Sequence, residues 1–274
     1  MWQAAGVAYS NDLVNGWEPA LAAGDTLLRR FVEAYADRTA AMAKALGGRS
    51  QSDAEASYAD LASAFLFDNA VVLKRPLSAD EVAEVVRRAY AFYPAERSWA
   101  LLSVFPLGDL SSFGLIEDGY PPFMVRPAGP GAAPEVSGLT VTRVSTAEHL
   151  ADFGRVLADG YPGIGEGGSI ANATLVESGV LTLFLGYLDG KPVATAGCAV
   201  NHGLVEVDWV CTLPEYRGRG ISAAVTLAAT MVDPSLPAAL IASDQGRPVY
   251  ERLGYLSLLR ATLWTRIPDW SRPL

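Results

Sequence analysis

Apolar residues first fall into a regular pattern between Thr26 and Leu46, where Leu28, Phe31, Val32, Tyr35, Thr39, Met42 and Leu46 recur at helical spacing. That spacing predicts an amphipathic helix, and Gly47-Gly48 supply its stop. Asp53 to Phe67 reads as a second helix. The pattern then changes. Ala70 to Lys74 is a short β run, and Ser78 with Glu81 makes a capping box that opens a helix with Val82, Val85, Val86 and Ala89 on one face. A strand from Trp99 to Phe105, a helical turn near Asp109 to Phe113 and a β run near Phe123 to Val125 complete this half. Between Pro127 and Gly138 the chain reads PAGPGAAPEVSG, without periodicity. This stretch predicts a linker over 128–138, separating a domain at 1–127 from one at 139–274.

The second half is more ordered. Leu139 to Val144 reads as a strand and Thr146 to Ala158 as a helix, followed by the glycine-rich loop Gly160 to Gly168 and a short helix near Ala171 to Ser178. Leu181 to Tyr187 and Pro192 to Val200 form strands joined at Asp189-Gly190, a strong hairpin signal. Leu204 to Thr212 is a strand, Gly220 to Met231 a helix, Ala238 to Ala242 a strand, Pro248 to Leu253 a helix and Leu256 to Thr265 a final strand. Hairpin-linked strands followed by alternating helices and strands imply an α/β (α+β) fold, with a mixed sheet covered by helices on both faces.

Composition narrows the partners. Half of the 274 residues are hydrophobic and 19% are charged, which supports a sizeable core. A net charge of −9 argues against a nucleic-acid partner. Met1 to Asp12 lacks a basic end followed by an apolar core, and the longest apolar stretch, Ile221 to Val232, is too short to span a bilayer. A cytoplasmic protein without membrane contact is the expectation. Cys198 and Cys211 fall in strand-like runs and read as buried thiols, while His149 and His202 have no ligand-like companions, so no metal site is expected.

The most informative stretch runs from Cys211 to Ser222: a β run, the turn Pro214-Glu215-Tyr216, then Arg217-Gly218-Arg219-Gly220 and an apolar helix from Ile221. Such a junction bares backbone N–H groups at a helix start, where a diphosphate binds well. Gly218 and Gly220 allow close approach, and Arg217 and Arg219 add positive charge. The string alone is weak; its strand-loop-helix context strengthens it. The alternative is an ordinary connection with solvated arginines.

Cys211 to Ala223 resembles the acetyl-CoA loop of the GNAT acetyltransferase superfamily, Arg or Gln, two residues, Gly, one residue, Gly or Ala. Arg217 and Gly220 match, and Ser222 takes the last small position. A second block, Ser243 to Tyr255, resembles the family's Asn…Tyr-Glu-x-Leu-Gly-Phe, with Ser243 replacing the asparagine and Tyr255 the phenylalanine. The resemblance covers Leu139 to Arg266. It implies a mostly antiparallel sheet flanked by helices, acetyl-CoA as acyl donor, no metal, and direct attack of an amine on the thioester. Backbone amides at Val210, Cys211 and Thr212 would polarise the carbonyl and pair with the pantetheine arm, while Arg217 to Ser222, including Ile221, and Ser243 would contact the rest of the cofactor.

Glu206 and Asp208 share one face of the Leu204 to Thr212 strand, an unusual placement unless that face opens on a cleft. Glu206 resembles the family's frequent base position, and Asp208 is either a second base or a contact for a cationic substrate. Two solvated carboxylates at a strand end are the alternative. Tyr250 is the candidate acid for the departing thiolate: Val249 and Leu253, one turn apart, would form the core face of their helix and leave Tyr250 sideways to the cleft. A tyrosine that only packs is the alternative reading there.

In the first half, Ala70 to Pro127 repeats the order strand, helix, strand, turn, strand, yet Lys74-Arg75-Pro76-Leu77-Ser78 contains no glycine. It reads as a degenerate second GNAT unit that lost its cofactor site, or else as an unrelated cap. The leading functional expectation is an N-acetyltransferase acting on a small-molecule or peptide amine, as a monomer or homodimer. A non-catalytic acyl-CoA sensor and transfer of a longer acyl chain are the alternatives.

Overall fold

The computed structural model describes residues 26–161 and 169–268. Helix α1 (Leu27–Ala45) starts on Thr26, whose hydroxyl accepts from the Arg29 N–H, and stops before Gly47 at φ +74°. The next stretch corrects an expectation. Residues 53–67 hold no α-helix: β1 (Arg49–Ser52) and β2 (Ala56–Asp60) form a hairpin, and a single 3-10 turn covers Leu66–Asp68. Asp53 makes the turn, its Oδ1 accepting from the N–H groups of Glu55 and Ala56. All five residues of β2 are buried, and a strand buried on both faces has no alternation by which to recognise it.

From there β3 (Asn69–Leu73), α2 (Ala79–Phe92), β4 (Trp99–Ser103), a 3-10 turn at Ser111–Phe113, β5 (Ile116–Gly119) and β6 (Pro122–Arg126) follow. Residues 128–138 carry neither helix nor strand. The second series is β7 (Leu139–Arg143), α3 (Ala147–Gly160), α4 (Ala173–Glu177), β8 (Thr182–Leu188), β9 (Lys191–Asn201), β10 (Leu204–Thr212), α5 (Ile221–Thr230), β11 (Ala238–Ile241), α6 (Arg247–Arg252), β12 (Leu256–Arg260) and β13 (Thr262–Arg266). The run read as one final strand is therefore two. It breaks at Ala261, whose N–H reaches the Pro121 carbonyl.

These strands make a six-stranded sheet, β1-β2-β3-β4-β13-β5, and a seven-stranded one, β12-β6-β11-β10-β9-β8-β7. Both are mostly antiparallel, with a single parallel neighbour pair each, β3 with β4 and β10 with β11. From α1 to β6 and from α3 to β13 the two halves repeat one order of strands and main helices, with α4 added in the second and α6 standing where the first has the 3-10 turn Ser111–Phe113. The last strand of each half leaves its own sheet. β6 inserts between β11 and β12, and β13 inserts between β4 and β5. The two halves thus exchange equivalent strands.

The exchange joins their cores. Phe31 of α1 packs on Phe123 of β6 with ring centroids 4.6 Å apart, in a cluster that also takes Leu204 and Ala239 from the second series. Fully burying a side chain of this size contributes roughly 1.5–3 kcal/mol. Arg126, at the end of β6, donates to the carbonyls of Leu253, Pro127, Gly129 and Pro130, pinning the connecting segment to the end of α6. Helix α1 consequently lies against β10, where the candidate chemistry sits.

Candidate active site

Strands β10 and β11 pair only at Val205 with Ala238 and Glu206 with Ala239, then diverge. On its other side β10 bulges against β9, one extra residue standing between Asp208 and Cys211. Trp209 occupies the bulge at φ +52°, a conformation that costs a bulky residue on the order of 1–3 kcal/mol. Neighbours hold it there. Asp208 Oδ1 accepts the Trp209 N–H at 2.8 Å, and the Thr195 hydroxyl donates to the Trp209 carbonyl at 2.9 Å. Gly197 lies beneath: a Cβ on it would come within 2.8 Å of the indole. Val210, Cys211 and Thr212 lie past the last pair with β11, along the open side of the fork.

Beyond β10, a 3-10 turn at Pro214–Tyr216 leads to Gly218 and Gly220, at φ +76° and +85°. These left-handed angles explain both glycines. Gly220 is the N-cap of α5 and offers no side chain to the helix, and the first intrahelical bond runs from Ala224 N–H to the Gly220 carbonyl. The N–H groups of Ile221, Ser222 and Ala223 therefore have no partner within the helix. Arg217, exposed like Arg219, is tied to the backbone. Its Nε donates to the Thr212 carbonyl at 2.9 Å and one terminal nitrogen to the Gly160 carbonyl at 3.4 Å, so it braces the loop. Arg219 is exposed over the Tyr216 ring. Ser243, at the tip of β11, accepts the Gly246 N–H.

The carboxylate pair corrects a second expectation. Glu206 does not face an open cleft; it is 1% exposed. Arg38 of α1 reaches across from the first half, with one terminal nitrogen 3.0 Å from Glu206 Oε1 and the other 3.0 Å from Asp208 Oδ2. Its guanidinium also lies 4.6 Å from the Tyr35 and Trp209 ring centroids. Burial lifts the Glu206 carboxyl to about 7, Arg38 opposes this, and the Asp208 charge adds to it. Asp208 keeps 30% of its side chain exposed. Sequence reading missed Arg38, although two carboxylates on a core face called for a buried cation.

Tyr250 is 8% exposed and is the buried residue of α6; Leu253, just past its end, is 4% exposed, whereas Val249 is only half-buried. The core face thus runs through Tyr250, contrary to the expected Val249 and Leu253 pairing. The phenol stays within Coulombic reach of Asp208 and Cys211, and burial first, then those charges and Tyr255, push its pKa upward. It is protonated at neutral pH. Cys198 and Cys211 are buried free thiols.

A cavity of about 250 Å³ opens at the fork, bounded by Asp208, Trp209 and Ser243 from the second half and by Tyr35, Arg38 and Asp68 from the first. A larger surface groove, about 770 Å³, runs between α3 and α4 and includes none of the candidate site residues. Most of the loop Gly160 to Gly168, expected to shape the acceptor site, lies outside the described residues.

Residues 166–255, which contain the fork, the loop before α5 and Tyr250, match the model of the acetyltransferase (GNAT) family. The chain carries a GNAT domain. A GCN5-related N-acetyltransferase from Kribbella flavida is similar over 85% of this chain and 95% of its own, at 25% identity and a TM-score of 0.62. A functionally unknown conserved protein from Staphylococcus epidermidis shares the fold, at 17% identity and a TM-score of 0.57, over 81% of this chain and 94% of its own. No curated protein matches the chain. The likeness extends beyond the matched domain: the N-terminal half is GNAT-like in structure as well. The match and the structural likeness support acetyltransferase activity in general terms.

The two halves differ at the equivalent helix start. In the GNAT domain the N-terminus of α5 is bare; in the first half, Ser78 caps α2 and the Glu81 carboxylate accepts the Ser78 N–H at 2.7 Å. Arg75 pairs with Glu81 and Glu55. An acid thus occupies the position where a diphosphate would bind. Among the described residues, no group of three His, Cys, Asp or Glu side chains is placed to hold a metal ion, and no helix is long and apolar enough to cross a membrane.

Proposed function

We propose that this protein is an acetyl-CoA-dependent N-acetyltransferase that passes the acetyl group to a primary amine by direct attack within a ternary complex. The observation that carries this reading is the combination, on one strand, of a fork with unpaired β10 edge and an uncapped α5 helix behind it. The diphosphate would be held by the amides of Gly218 through Ser222, with Arg219 adding charge and Arg217 keeping the loop in shape. Val210, Cys211 and Thr212 would take the pantetheine arm as an added strand and polarise the thioester carbonyl. Ser243 borders the same opening from β11.

The amine nitrogen attacks the carbonyl carbon, the carbon–sulfur bond breaks, and one proton leaves the nitrogen. Asp208, the exposed member of the pair, is the acceptor for that proton, directly or through water. Glu206, buried beneath Arg38, would hold the other side of the guanidinium that Asp208 shares. Tyr250 donates to the departing sulfur. Its raised pKa makes it a weaker acid than an ordinary phenol, but a thiolate released into the same dry fork is correspondingly more basic. The enzyme is expected to work in the cytoplasm, without a metal or nucleic-acid partner.

Calorimetry with acetyl-CoA and release of free thiol across an amine panel test this reading together. Binding with amine-dependent thiol release is the expected result. Tight binding without release across the panel would instead mark an acyl-CoA sensor, and no binding of any CoA thioester would end both readings.

A further inference from the structure

The cavity at the fork has a composition unlike an open polar cleft. Five aromatic residues line it: Tyr35, Phe65, Phe67, Tyr161 and Trp209. Phe65 meets Phe67 and Tyr161 edge-on, with centroids 5.2 and 6.1 Å apart, so these rings brace one another as a rigid slot. Ala70, Ala100 and Ala242 line other parts of the wall, where larger side chains would reduce the space.

Volume limits the occupant. A cavity of roughly 150 Å³ takes one benzene molecule. The 250 Å³ here therefore suits a single ring with a short side arm.

Charge sets the occupant's sign. Asp68 and Asp208 both border the space, and they lie close enough for the Asp208 charge to act on Asp68. Asp68 is 4% exposed; burial raises its pKa, while the Ser169 N–H, 3.0 Å from its Oδ2, and the Ser63 and Ser169 hydroxyls lower it. Arg38, the one lining cation among the described residues, is already bound to Glu206 as well as to Asp208. Glu206 and Asp208 thus already share one guanidinium, and an arriving ammonium beside Asp68 would favour the ionised form of that buried carboxyl. A carboxylate-bearing guest would meet repulsion at the same place.

We infer that the acceptor is a small monoamine with one aromatic ring and a short alkyl arm, its ring in the slot made jointly by both halves and its nitrogen between Asp68 and Asp208. The inference deepens the acetyltransferase reading and rests on it for the transfer step, but the fit of the amine is measurable without transfer. The N-terminal half, through Tyr35, Phe65, Phe67 and Asp68, then supplies the specificity.

The test measures binding of 2-phenylethylamine, 2-phenylethanol, 3-phenylpropionate and spermidine to the full chain by calorimetry, and separately compares acetylation of the two amines. The expected result is that 2-phenylethylamine binds about 10-fold or more tighter than the neutral alcohol, since a charge-assisted bond adds about 1.5–3 kcal/mol. The anion and spermidine should bind more weakly still. Phe67→Ala should move the preference toward a two-ring amine such as tryptamine by about 10-fold. Asp68→Asn, which keeps an acceptor for the Ser169 N–H, should narrow the gap between amine and alcohol. Equal binding of amine and alcohol, or a preference for spermidine in binding or transfer, would overturn the inference while leaving the acetyltransferase reading intact. Selective amine binding in a protein that binds no acetyl-CoA would support the inference and sink that reading.

Discussion

The two halves run through the same strands and main helices in the same order, yet only one offers a place for a diphosphate. At the end of β3 the chain turns through Lys74 to Ser78 and closes its helix with its own acid, Glu81. At the end of β10 it turns through Gly218 and Gly220, both left-handed, and leaves the start of α5 open. The fold supplies a helix terminus in both cases. What decides the outcome is whether the protein has already satisfied that terminus itself.

The contrast can be broken most severely at Arg38, the first half's contribution to the second half's site. Arg38→Ala strands Glu206 and Asp208 and removes a cation over Trp209, and it should cost about 3–5 kcal/mol in urea unfolding. Arg38→Lys, without the fork that spans both acids, should recover only part of that loss. Next comes the open terminus. Gly220→Val places a β-branched residue at φ +85° with its Cβ 3.3 Å from Val136, and acetyl-CoA affinity by calorimetry should fall about 100-fold or more. Tyr250→Phe should lower turnover by about 10- to 100-fold at unchanged acetyl-CoA affinity. Unaltered turnover would remove Tyr250 from the chemistry.

The smallest effects are in acid titrations, and their signs oppose. Glu81, lowered to about 2 first by the Ser78 N–H and then by Arg75, stabilises the fold above its usual range, and this stability is lost as pH falls from about 4.5 toward 2. Glu81→Gln should flatten that acid limb. Glu206, raised to about 7 chiefly by burial, acts in reverse: stability present below about 4.5 is lost as pH rises through 7. Unfolding midpoints of Glu206→Gln should accordingly vary less with pH between 4.5 and 7.5 than those of the parent.

Local features were legible in the sequence. The Ser78–Glu81 box, the turn at Asp189-Gly190 and the glycines before α5 each need only a few neighbouring residues to define them, and each appears at the expected position. The strands of the GNAT domain were also readable up to β11. Three things were not, and all depend on distant contacts. β2 is buried on both faces, so its residues carry no period. Leu256 to Thr265 contains no glycine or proline, and nothing within it says that β12 and β13 belong to different sheets. Arg38 sits on a helix whose pattern speaks of packing, while the carboxylates that require it lie 168 and 170 positions further on. Sequence spacing encodes a helix face well and a cross-chain ion pair hardly at all.

Because β6 and β13 each complete the opposite sheet, the chain is interlaced. Cutting it anywhere in 128–138 would sever the backbone without freeing either piece, and the nicked protein would migrate as one particle until denatured. A fragment made alone would lack its partner's strand one place in from a sheet edge, leaving a gap between β4 and β5 or between β11 and β12. Each half therefore depends on the other for an interior strand, which ties the capped terminus of α2 and the open terminus of α5 into a single folding unit.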